Sequence, residues 1–531
     1  MKKLLFVALA AFAFAACEKH SENDPVHQEG EKEQSFMAVS LLADDMSTRG
    51  AGDKYEDGEA SERVVKSLYF FLFDAEGNPF DVDGGKNYKM VDVNENGNAP
   101  VGAAPDGTPN VSDVKNKVLV FENYKGKYPA KIVAVINWAP PTGAGPYTLN
   151  ALADQMLELK NADNAFVMSN AVYAAESTNP GTQKEAVRAT ALTEANIAKT
   201  EADALANPVK IYVERIAAKV TVDTTPENKY NIGEEVDGTQ VFAKVLGWEL
   251  YNEYDKSYLL KKIDASWTDT TVGFSWNDSA WFRSYWAISP TTAFGADNKV
   301  SYNTLSNAVA ASDYCGENTY NTNSTKVVVK ALLVDSSNNP VEIATWYGND
   351  YIGEEALRTV VANTLASQLY YLSGTEYKSI TAGDLMVVEA DEPNPNPGAD
   401  MKAYHVFFQL STVGEAKTWY TYSSVDGFKV SDVNSVNVIL GGVEPALLYN
   451  DGQTYYYTDI KHLPSTVAAT QYGVVRNHVY KVNINTISGF GTPVYDGATL
   501  FDPETPADIT TYVSAEVRIL SWRVVEYGYD I

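Results

Sequence analysis

Dense or alternating runs of apolar residues, separated by turn residues, recur along most of the chain. Residues 64–73 form one such run, and an Asp-Ala-Glu-Gly-Asn turn ends it. Residues 118–121 and 130–138 form two more on either side of a Lys-Gly turn. Short apolar runs bounded by turn residues are typical of β-strands, so the first part of the chain is predicted to contain these three strands.

Helical periodicity is found in two segments. Four large apolar residues within residues 147–160 share one helical face and predict an amphipathic helix there. Residues 183–206 are rich in Ala, Glu and Lys and favour a second, weaker helix. Pro208 then restarts the chain as a long strand, predicted over residues 209–222.

Strands and turn signals alternate along the rest of the chain. Recurring strands separated by turns are typical of a β-sandwich. We therefore predict a mainly β fold with two β-sandwich domains, residues 50–225, which carry the added helices, and residues 226–490. Residues 491–511 hold three prolines and are predicted to be a linker, which leads to one more strong strand run at residues 512–525.

The first residues have the features of an export signal. Two lysines precede an apolar run over residues 4–16, which is too short to span a bilayer as a mature helix. Phe-Ala-Ala directly before Cys17 resembles a lipobox, which predicts cleavage of residues 1–16 and acylation of the Cys17 thiol and its new amine. The alternative is an ordinary signal peptide whose cleavage site happens to precede a cysteine.

Three short segments of different character follow the lipobox. Residues 18–34 are polar and acidic, which predicts a disordered tether. Residues 35–42 have the pattern of a strand. Residues 44–53 are polar and Gly-rich around Arg49, as is typical of an exposed loop that can enter a protease cleft.

Composition and charge exclude several functional classes. The net charge of −28 repels nucleic acids and anionic lipid surfaces. The two cysteines, Cys17 and Cys315, are too few for a disulfide framework. HExxH, CxxC, P-loop and GxSxG patterns are all missing, so no enzyme activity and no cofactor are predicted. Acidic turns at residues 81–84 and 92–97 offer oxygen ligands for Ca²⁺, but solvated turns are the better interpretation and no metal site is predicted.

Four segments carry patterns that occur together in one family of surface proteins. Residues 213–220 have the sequence VERIAAKV, and Trp248 is followed by KSYLLKK at residues 256–262. Residues 474–484 contain Arg-Asn-x-x-Tyr, and residues 517–524 have the sequence VRILSWRV. Their order, together with the lipobox, resembles the Mfa-like fimbrillins of Bacteroidales, the subunits of type V pili. In that family the four segments correspond to the end of the first domain, the start of the second, a late strand and the C-terminal segment.

The resemblance implies a fold and a route of assembly. The fold is two transthyretin-like or Greek-key sandwiches with a C-terminal donor strand. The precursor reaches the outer membrane as a lipoprotein, and an Arg-specific or trypsin-like protease removes its N-terminal strand. The C-terminal strand of another copy then fills the vacated groove, and this builds a head-to-tail filament. The implied partners are further copies of the chain, fimbrial anchor and tip subunits, and the protease. The implied locations are the outer membrane, through the lipid, and then the fimbrium at the cell surface.

The loop and the resemblance together predict that the protease cuts between Arg49 and Gly50. Arg63 is the competing site, but it abuts the strand predicted at residues 64–73. Residues 17–49 are therefore predicted to be a lipidated propeptide with a removable strand.

The chain's last strand run is predicted to be the donor strand, within residues 491–531. Apolar residues alternate on one face as far as Ile519 and continue on the other face from Leu520, which indicates a bulge or a twist. We expect four side chains to enter the acceptor groove: Val517, Ile519, Trp522 and Val524. The alternative is that this run is the last strand of the chain's own second domain.

Three functions remain open at this stage. The first is the shaft subunit of a fimbria that supports adhesion, favoured because leader, loop and terminal strand are all present. The second is an anchor or tip subunit, since an anchor would keep its lipid and a tip would carry an extra ligand-binding domain. The third is a surface glycan-binding lipoprotein, which would use exposed tryptophans such as Trp281 and Trp286.

Overall fold

The computed structural model describes most of the chain. The described residues are 32–42, 58–91, 93, 114–124, 126–174, 186–263, 269–271, 273, 287–290, 300–318, 324–389, 405–463, 465–501, 512–520 and 526–527. They confirm the predicted mainly β fold, with several sheets and a few short helices. Three large clusters of buried apolar side chains organise it, and we call them the first, second and third core. Within the described residues, no helix is long and apolar enough to cross a membrane.

An eight-stranded sheet forms around the first core. The elements of this region are β1 (Lys32–Leu42), β2 (Leu68–Phe73), β3 (Tyr88–Met90), β4 (Val114–Tyr124), β5 (Lys131–Ile136), α1 (Leu149–Ala153), β6 (Met156–Glu158), β7 (Met168–Asn170), β8 (Tyr173–Ala174), β9 (Ala186–Val187), β10 (Thr190–Ala191), α2 (Glu201–Ala206) and β11 (Val209–Arg215). The sheet order is β3-β2-β5-β7-β11-β1-β4, and β10 also pairs with β5. The densely apolar β2 and β5 are buried along nearly their whole length, which explains why neither shows simple alternation.

The predicted helices are shorter in the structure. α1 begins after Thr148, whose hydroxyl accepts the N–H of Ala151 at 3.1 Å, and it ends at Ala153. The helix predicted over residues 147–160 is therefore wrong in its second half. There the chain continues as β6, because pairing with Lys256–Tyr258 supplies backbone partners and overrides the local helical pattern. In the described part of residues 183–206, α2 is the α-helix and the short strands β9 and β10 precede it.

The long strand predicted over residues 209–222 is two strands that belong to different sheets. β11 ends at Arg215, and β12 (Ala218–Asp223) begins three residues later. Ile216 and Ala217 are buried in the first core, whereas Ala218 is buried in the second. The break therefore carries the chain from one core to the next.

The second core begins with β12 and continues with β13 (Lys229–Val236), β14 (Thr239–Tyr251), β16 (Ser312–Cys315) and β17 (Lys326–Val334). Between β14 and β16 lies β15 (Lys256–Tyr258), which pairs with β6 instead. β14 is long because it pairs with β13 on one side and β17 on the other. Trp248 of β14 is fully buried in the second core.

A third core interrupts the second, between β17 and the strand that returns to it. Its elements are β18 (Ile343–Trp346), β19 (Asn349–Ile352), α3 (Glu354–Leu365), β20 (Leu369–Ser373), β21 (Glu376–Ser379), β22 (Leu385–Glu389), β23 (His405–Leu410), α4 (Thr412–Glu415), β24 (Trp419–Ser423), β25 (Gly427–Ser431), α5 (Val433–Gly441) and β26 (Ala446–Tyr449). They form two sheets, β19-β18-β26-β23-β22 and β21-β20-β24-β25. The sequence pattern did not separate this core from the second one.

After β26 the described part of the chain returns to the second core. The last elements are β27 (Gln453–Asp459), α6 (Ala468–Gln471), β28 (Val479–Ser488), β29 (Thr492–Pro493), β30 (Tyr512–Leu520) and β31 (Glu526–Tyr527). One sheet has the order β13-β14-β17-β27-β29 and the other β16-β12-β28-β30-β31. Both sheets contribute side chains to the second core, as the two layers of a sandwich do.

The Arg-Asn-x-x-Tyr pattern before β28 joins the first and second cores. The guanidinium of Arg476 is fully buried and donates to Glu317 Oε2 at 2.6 Å. It also donates to the carbonyl oxygens of Tyr258 and Leu259, at 2.7 and 3.2 Å. Leu259 belongs to the first core, whereas residues 474, 475 and 480 on either side of Arg476 belong to the second. The backbone N–H of Asn477 donates to the carbonyl of Ala217 at 2.7 Å, in the break between β11 and β12.

Replacement of Arg476 by alanine is expected to lower the free energy of unfolding by about 3–5 kcal/mol, because it leaves the Glu317 carboxylate buried without its cation. Chemical denaturation followed by fluorescence measures this loss. Lys429→Ala is the matched control, since the Lys429–Asp426 ion pair is exposed and its removal should change little. A loss for Arg476→Ala no larger than that of the control would contradict a role in joining the cores.

Candidate assembly site

β1 lies inside the first sheet, between two strands that come much later in the chain. It runs antiparallel to β4 over its full length, from Lys32 opposite Tyr124 to Leu42 opposite Val114. It runs parallel to β11 over its last four residues, from Val39 opposite Val209 to Leu42 opposite Tyr212. The strand pattern at residues 35–42 thus marks a real strand, but one with two partners that the pattern does not specify.

The centre of β1 is deeply buried. Met37 and Val39 are 0% exposed and belong to the first core. Ala38, which points to the opposite face, is also buried, and α2 packs against β1 and β4. The centre of β1 is therefore covered on both faces, and its last four residues are paired on both edges, as in a central strand.

Removal of β1 would leave a groove between β4 and β11. Within the described residues, β4 pairs with no strand other than β1, so its whole length would become an unpaired edge. The sites of Met37 and Val39 would become an apolar cavity, and loss of a buried methionine side chain alone costs about 2–5 kcal/mol. Such a groove strongly favours the entry of another strand with alternating apolar side chains.

The chain is anchored just after the segment that follows β1. Residues Ala60–Arg63 form one turn of 3₁₀ helix, in which the Glu62 side chain is buried. Its carboxylate accepts a hydrogen bond from the Tyr314 hydroxyl at 2.6 Å and pairs with Lys219 Nζ at 2.7 Å. It also accepts the backbone N–H of Glu59 at 3.0 Å. This anchor holds residues 59–63 against β12 and β16.

The Glu62 carboxylate is held in its charged form. Burial by itself would raise the pKa of Glu62, but the hydrogen bonds from Lys219 and Tyr314 and the charge of Lys219 outweigh it and lower the pKa below its usual value. The stabilisation is therefore present above the usual pKa of a glutamate and is lost as the pH falls through the lowered value. At neutral pH the anchor is intact.

The chain's last strand run lies on the edge of the second sandwich. β30 pairs antiparallel with β28, from Tyr512 opposite Ser488 to Leu520 opposite Val479, with a register shift at Ile484/Thr486. On its other side β30 pairs only with the two residues of β31 among the described strands. β28 keeps β12 as its other neighbour, so β30 is added outside an existing pair.

The structure brings the predicted site residues together only in part. Val517 and Ile519 lie on β30, opposite Val482 and Tyr480 of β28. Outside the described residues lie Cys17, Arg49, Gly50, Trp522, Val524, Trp281 and Trp286. The residues that sequence reasoning missed are Met37 and Val39, which fill the groove. Their alternation within residues 35–42 was a usable signal.

The acidic turn at residues 81–84 lies beside β1. With Gln34 it lines a polar cavity of about 240 Å³. The carboxylate of Asp81 accepts the backbone N–H groups of Asp83 and Gly85, at 3.2 and 2.8 Å, as in a solvated turn. Among the residues that the structure describes, no group of three or more potential ligands is placed to hold a metal ion. The second acidic turn, residues 92–97, lies almost entirely outside the described residues.

A family model matches the C-terminal part of the chain by sequence. Residues 447–528, from β26 to just beyond β31, match the model of the major fimbrial subunit protein type IV, fimbrillin, C-terminal. The C-terminal part of the chain is thus fimbrillin-like. No curated protein matches the chain.

Solved structures show more distant likenesses. A candidate cell adhesion protein from Parabacteroides distasonis is 13% identical, with 91% of this chain and 96% of that chain covered and a TM-score of 0.35. One from Bacteroides eggerthii is also 13% identical, with 92% and 97% covered and a TM-score of 0.37. A candidate adhesin from Bacteroides ovatus is 14% identical, with 75% and 97% covered and a TM-score of 0.19.

Proposed function

We propose that this chain is the structural shaft subunit of a surface fimbria that supports adhesion. It is exported as a lipoprotein, cleaved after Arg49 and polymerised by donor-strand insertion. The observation that carries the proposal is the position of β1, the sole strand partner of β4 among the described residues and fully buried at its centre. The fimbrillin match over residues 447–528 supports the same class of protein.

Maturation begins at the outer membrane, where acyl chains on Cys17 hold the precursor. Each buried CH₂ of such chains contributes roughly 0.8 kcal/mol, so the anchor is stable. A protease then cuts between Arg49 and Gly50, in the segment between β1 and the Glu62 anchor. Cleavage there separates β1 covalently from the rest of the subunit and leaves it held by pairing and packing alone.

Polymerisation follows when the donor strand of a second copy replaces β1. The donor leaves β28 of its own subunit and enters between β4 and β11 of the next. Val517, Ile519, Trp522 and Val524 then occupy the apolar groove, where each buried aliphatic side chain contributes about 1.5–3 kcal/mol. Head-to-tail insertion does not close on itself, so it produces a filament. Anchor and tip subunits end this filament at the membrane and at its free end.

The mature subunit is expected to begin at Gly50. Arg63 is half-buried and follows the Glu62 anchor directly, so a protease cannot bind it in extended form unless that turn unfolds. Purified precursor is treated with an Arg-specific protease, which spares Lys54 in the same segment, then examined by electron microscopy for filaments and sequenced from its N-terminus.

Two variants control this experiment. Arg49→Ala should remain uncut and monomeric, whereas Arg63→Ala should mature and polymerise like the unmodified precursor. Assembled subunits that begin at Val64 or at Cys17 would contradict the proposed maturation site.

A further inference from the structure

The sheet β21-β20-β24-β25 has an apolar face on both of its sides. Its inner face contributes Leu369 and Trp419 to the third core. On the opposite face, the paired positions place five aromatic side chains together. These five, Tyr370, Tyr377, Tyr420, Tyr422 and Phe428, form what we call the aromatic face.

The rings of the aromatic face gather over the middle of the sheet. Tyr377 lies on one edge strand and Phe428 on the other, which would be about 14 Å apart across a flat sheet. Their rings nevertheless stack, with centroids 3.8 Å apart and planes 3° apart. Tyr370 and Tyr422 contact Phe428 edge-on or tilted, at 5.0 and 4.9 Å. The side chains from the two edge strands therefore lean towards each other over the middle strands, and the rings form one continuous patch.

The aromatic face is open to solvent. Tyr377 and Tyr422 are each 43% exposed and Phe428 is 39% exposed. Leu372 and Val430 extend the same face and are exposed as well. Soluble proteins seldom leave a contiguous apolar patch of this kind uncovered, and such patches mark binding surfaces.

The side chains of the aromatic face are aromatic, mostly hydroxylated and uncharged. Of the residues on these four strands, the acidic and basic ones, such as Glu376, Lys378 and Lys429, alternate onto the other side. The four tyrosines add hydroxyl groups to this face. Tyrosine combines an apolar ring with a polar tip, which suits a ligand that is itself apolar on one side and polar at its rim.

We propose that the aromatic face binds a neutral oligosaccharide. A pyranose ring presents a face of C–H groups that can lie on an exposed aromatic ring, while its hydroxyls reach the tyrosine hydroxyls. Because the basic residues of these four strands lie on the other side, nothing on this face offsets the net charge of −28, which repels sialylated and sulfated sugars. This binding is independent of polymerisation and does not need a mature filament.

The test uses the purified full chain on a glycan array. The array carries neutral mucin-type glycans, neutral plant oligosaccharides of the xylan, mannan and β-glucan types, and sialylated and sulfated versions of the first group. We expect the chain to be retained on neutral glycans. The class of neutral glycan that retains it, mucin-type or plant, then identifies the source of the ligand. Titration of the best binder should show that Tyr377→Ala and Tyr422→Ala each weaken binding by about tenfold or more.

Tyr347→Ala is the matched control, because Tyr347 is an exposed tyrosine between β18 and β19 that lies outside the aromatic face. It should bind like the unmodified chain, and the melting temperatures of all three variants should agree. No retention on any neutral glycan would overturn the proposal, as would preference for the charged glycans. It would also fail if sedimentation showed self-association that Tyr377→Ala abolishes, since a second copy would then occupy the face.

Discussion

Deletion of residues 514–531 is expected to give a folded monomer that the protease still cuts after Arg49 but that forms no filament. The deleted segment holds most of β30 and all of β31, which lie at one margin of their sheet. β28 keeps its parallel pairing with β12, so the second sandwich loses an edge rather than a central strand. The acceptor groove is far along the chain from this edge and remains complete. The chain therefore retains an acceptor but has no donor.

Three measurements separate the possible outcomes of this deletion. Thermal unfolding reports whether the second sandwich is still cooperative, N-terminal sequencing reports cleavage, and electron microscopy reports filaments. Loss of cooperative folding would show that β30 is an integral strand of its own sandwich. Filaments from the truncated chain would show that the donor strand lies elsewhere. Mixing with intact matured subunits is the internal control, since the truncated monomer should cap the donor end of a growing chain.

A disulfide that locks β1 in its groove is expected to block polymerisation completely and reversibly. Ala38 of β1 lies directly opposite Val118 of β4 in the antiparallel register. Side chains in such a pair have Cβ atoms about 4.5–5.5 Å apart, which is close to the span of a disulfide. In a Cys17→Ser background, Ala38→Cys with Val118→Cys should let the protease cut after Arg49 while β1 stays bound. Reduction should then release β1 and start polymerisation.

The lock has a matched control in the single variant Ala38→Cys, which cannot form the cross-link and should polymerise with or without reductant. Native Cys315 is fully buried and should not take part in exchange. A non-reducing gel shows whether the cleaved N-terminal peptide is still attached. Equal polymerisation by the oxidised double variant and the single variant would show that another groove accepts the donor.

The anchor at Glu62 fixes the downstream end of the connection that follows β1. Upstream, residues 44–53 have the composition of a flexible protease substrate. Downstream, the carboxylate of Glu62 is tied to Lys219 and Tyr314, and these two residues lie on strands that flank the second core. Cleavage after Arg49 can therefore free β1 without loosening the rest of the subunit. The predicted cut between Arg49 and Gly50 depends on this division.

Local sequence determined where many strands lie, because alternating or dense apolar runs bounded by turns depend only on neighbouring residues. Residues 118–121 and 130–138 correspond to β4 and β5, and residues 35–42 lie within β1. The fold class followed from the same signals. The leader, the loop around Arg49 and the C-terminal strand run were also visible in sequence, and their roles remain predictions.

Only the tertiary structure decided which strands are neighbours. Nothing in residues 35–42 specifies β4 on one side and β11 on the other, since backbone pairing is nearly independent of side chains and its partners lie far away in the chain. The same reason explains the wrong second half of the helix at residues 147–160, where pairing with Lys256–Tyr258 prevails. It also explains the aromatic face, because its five rings come from four strands that meet only when the third core forms.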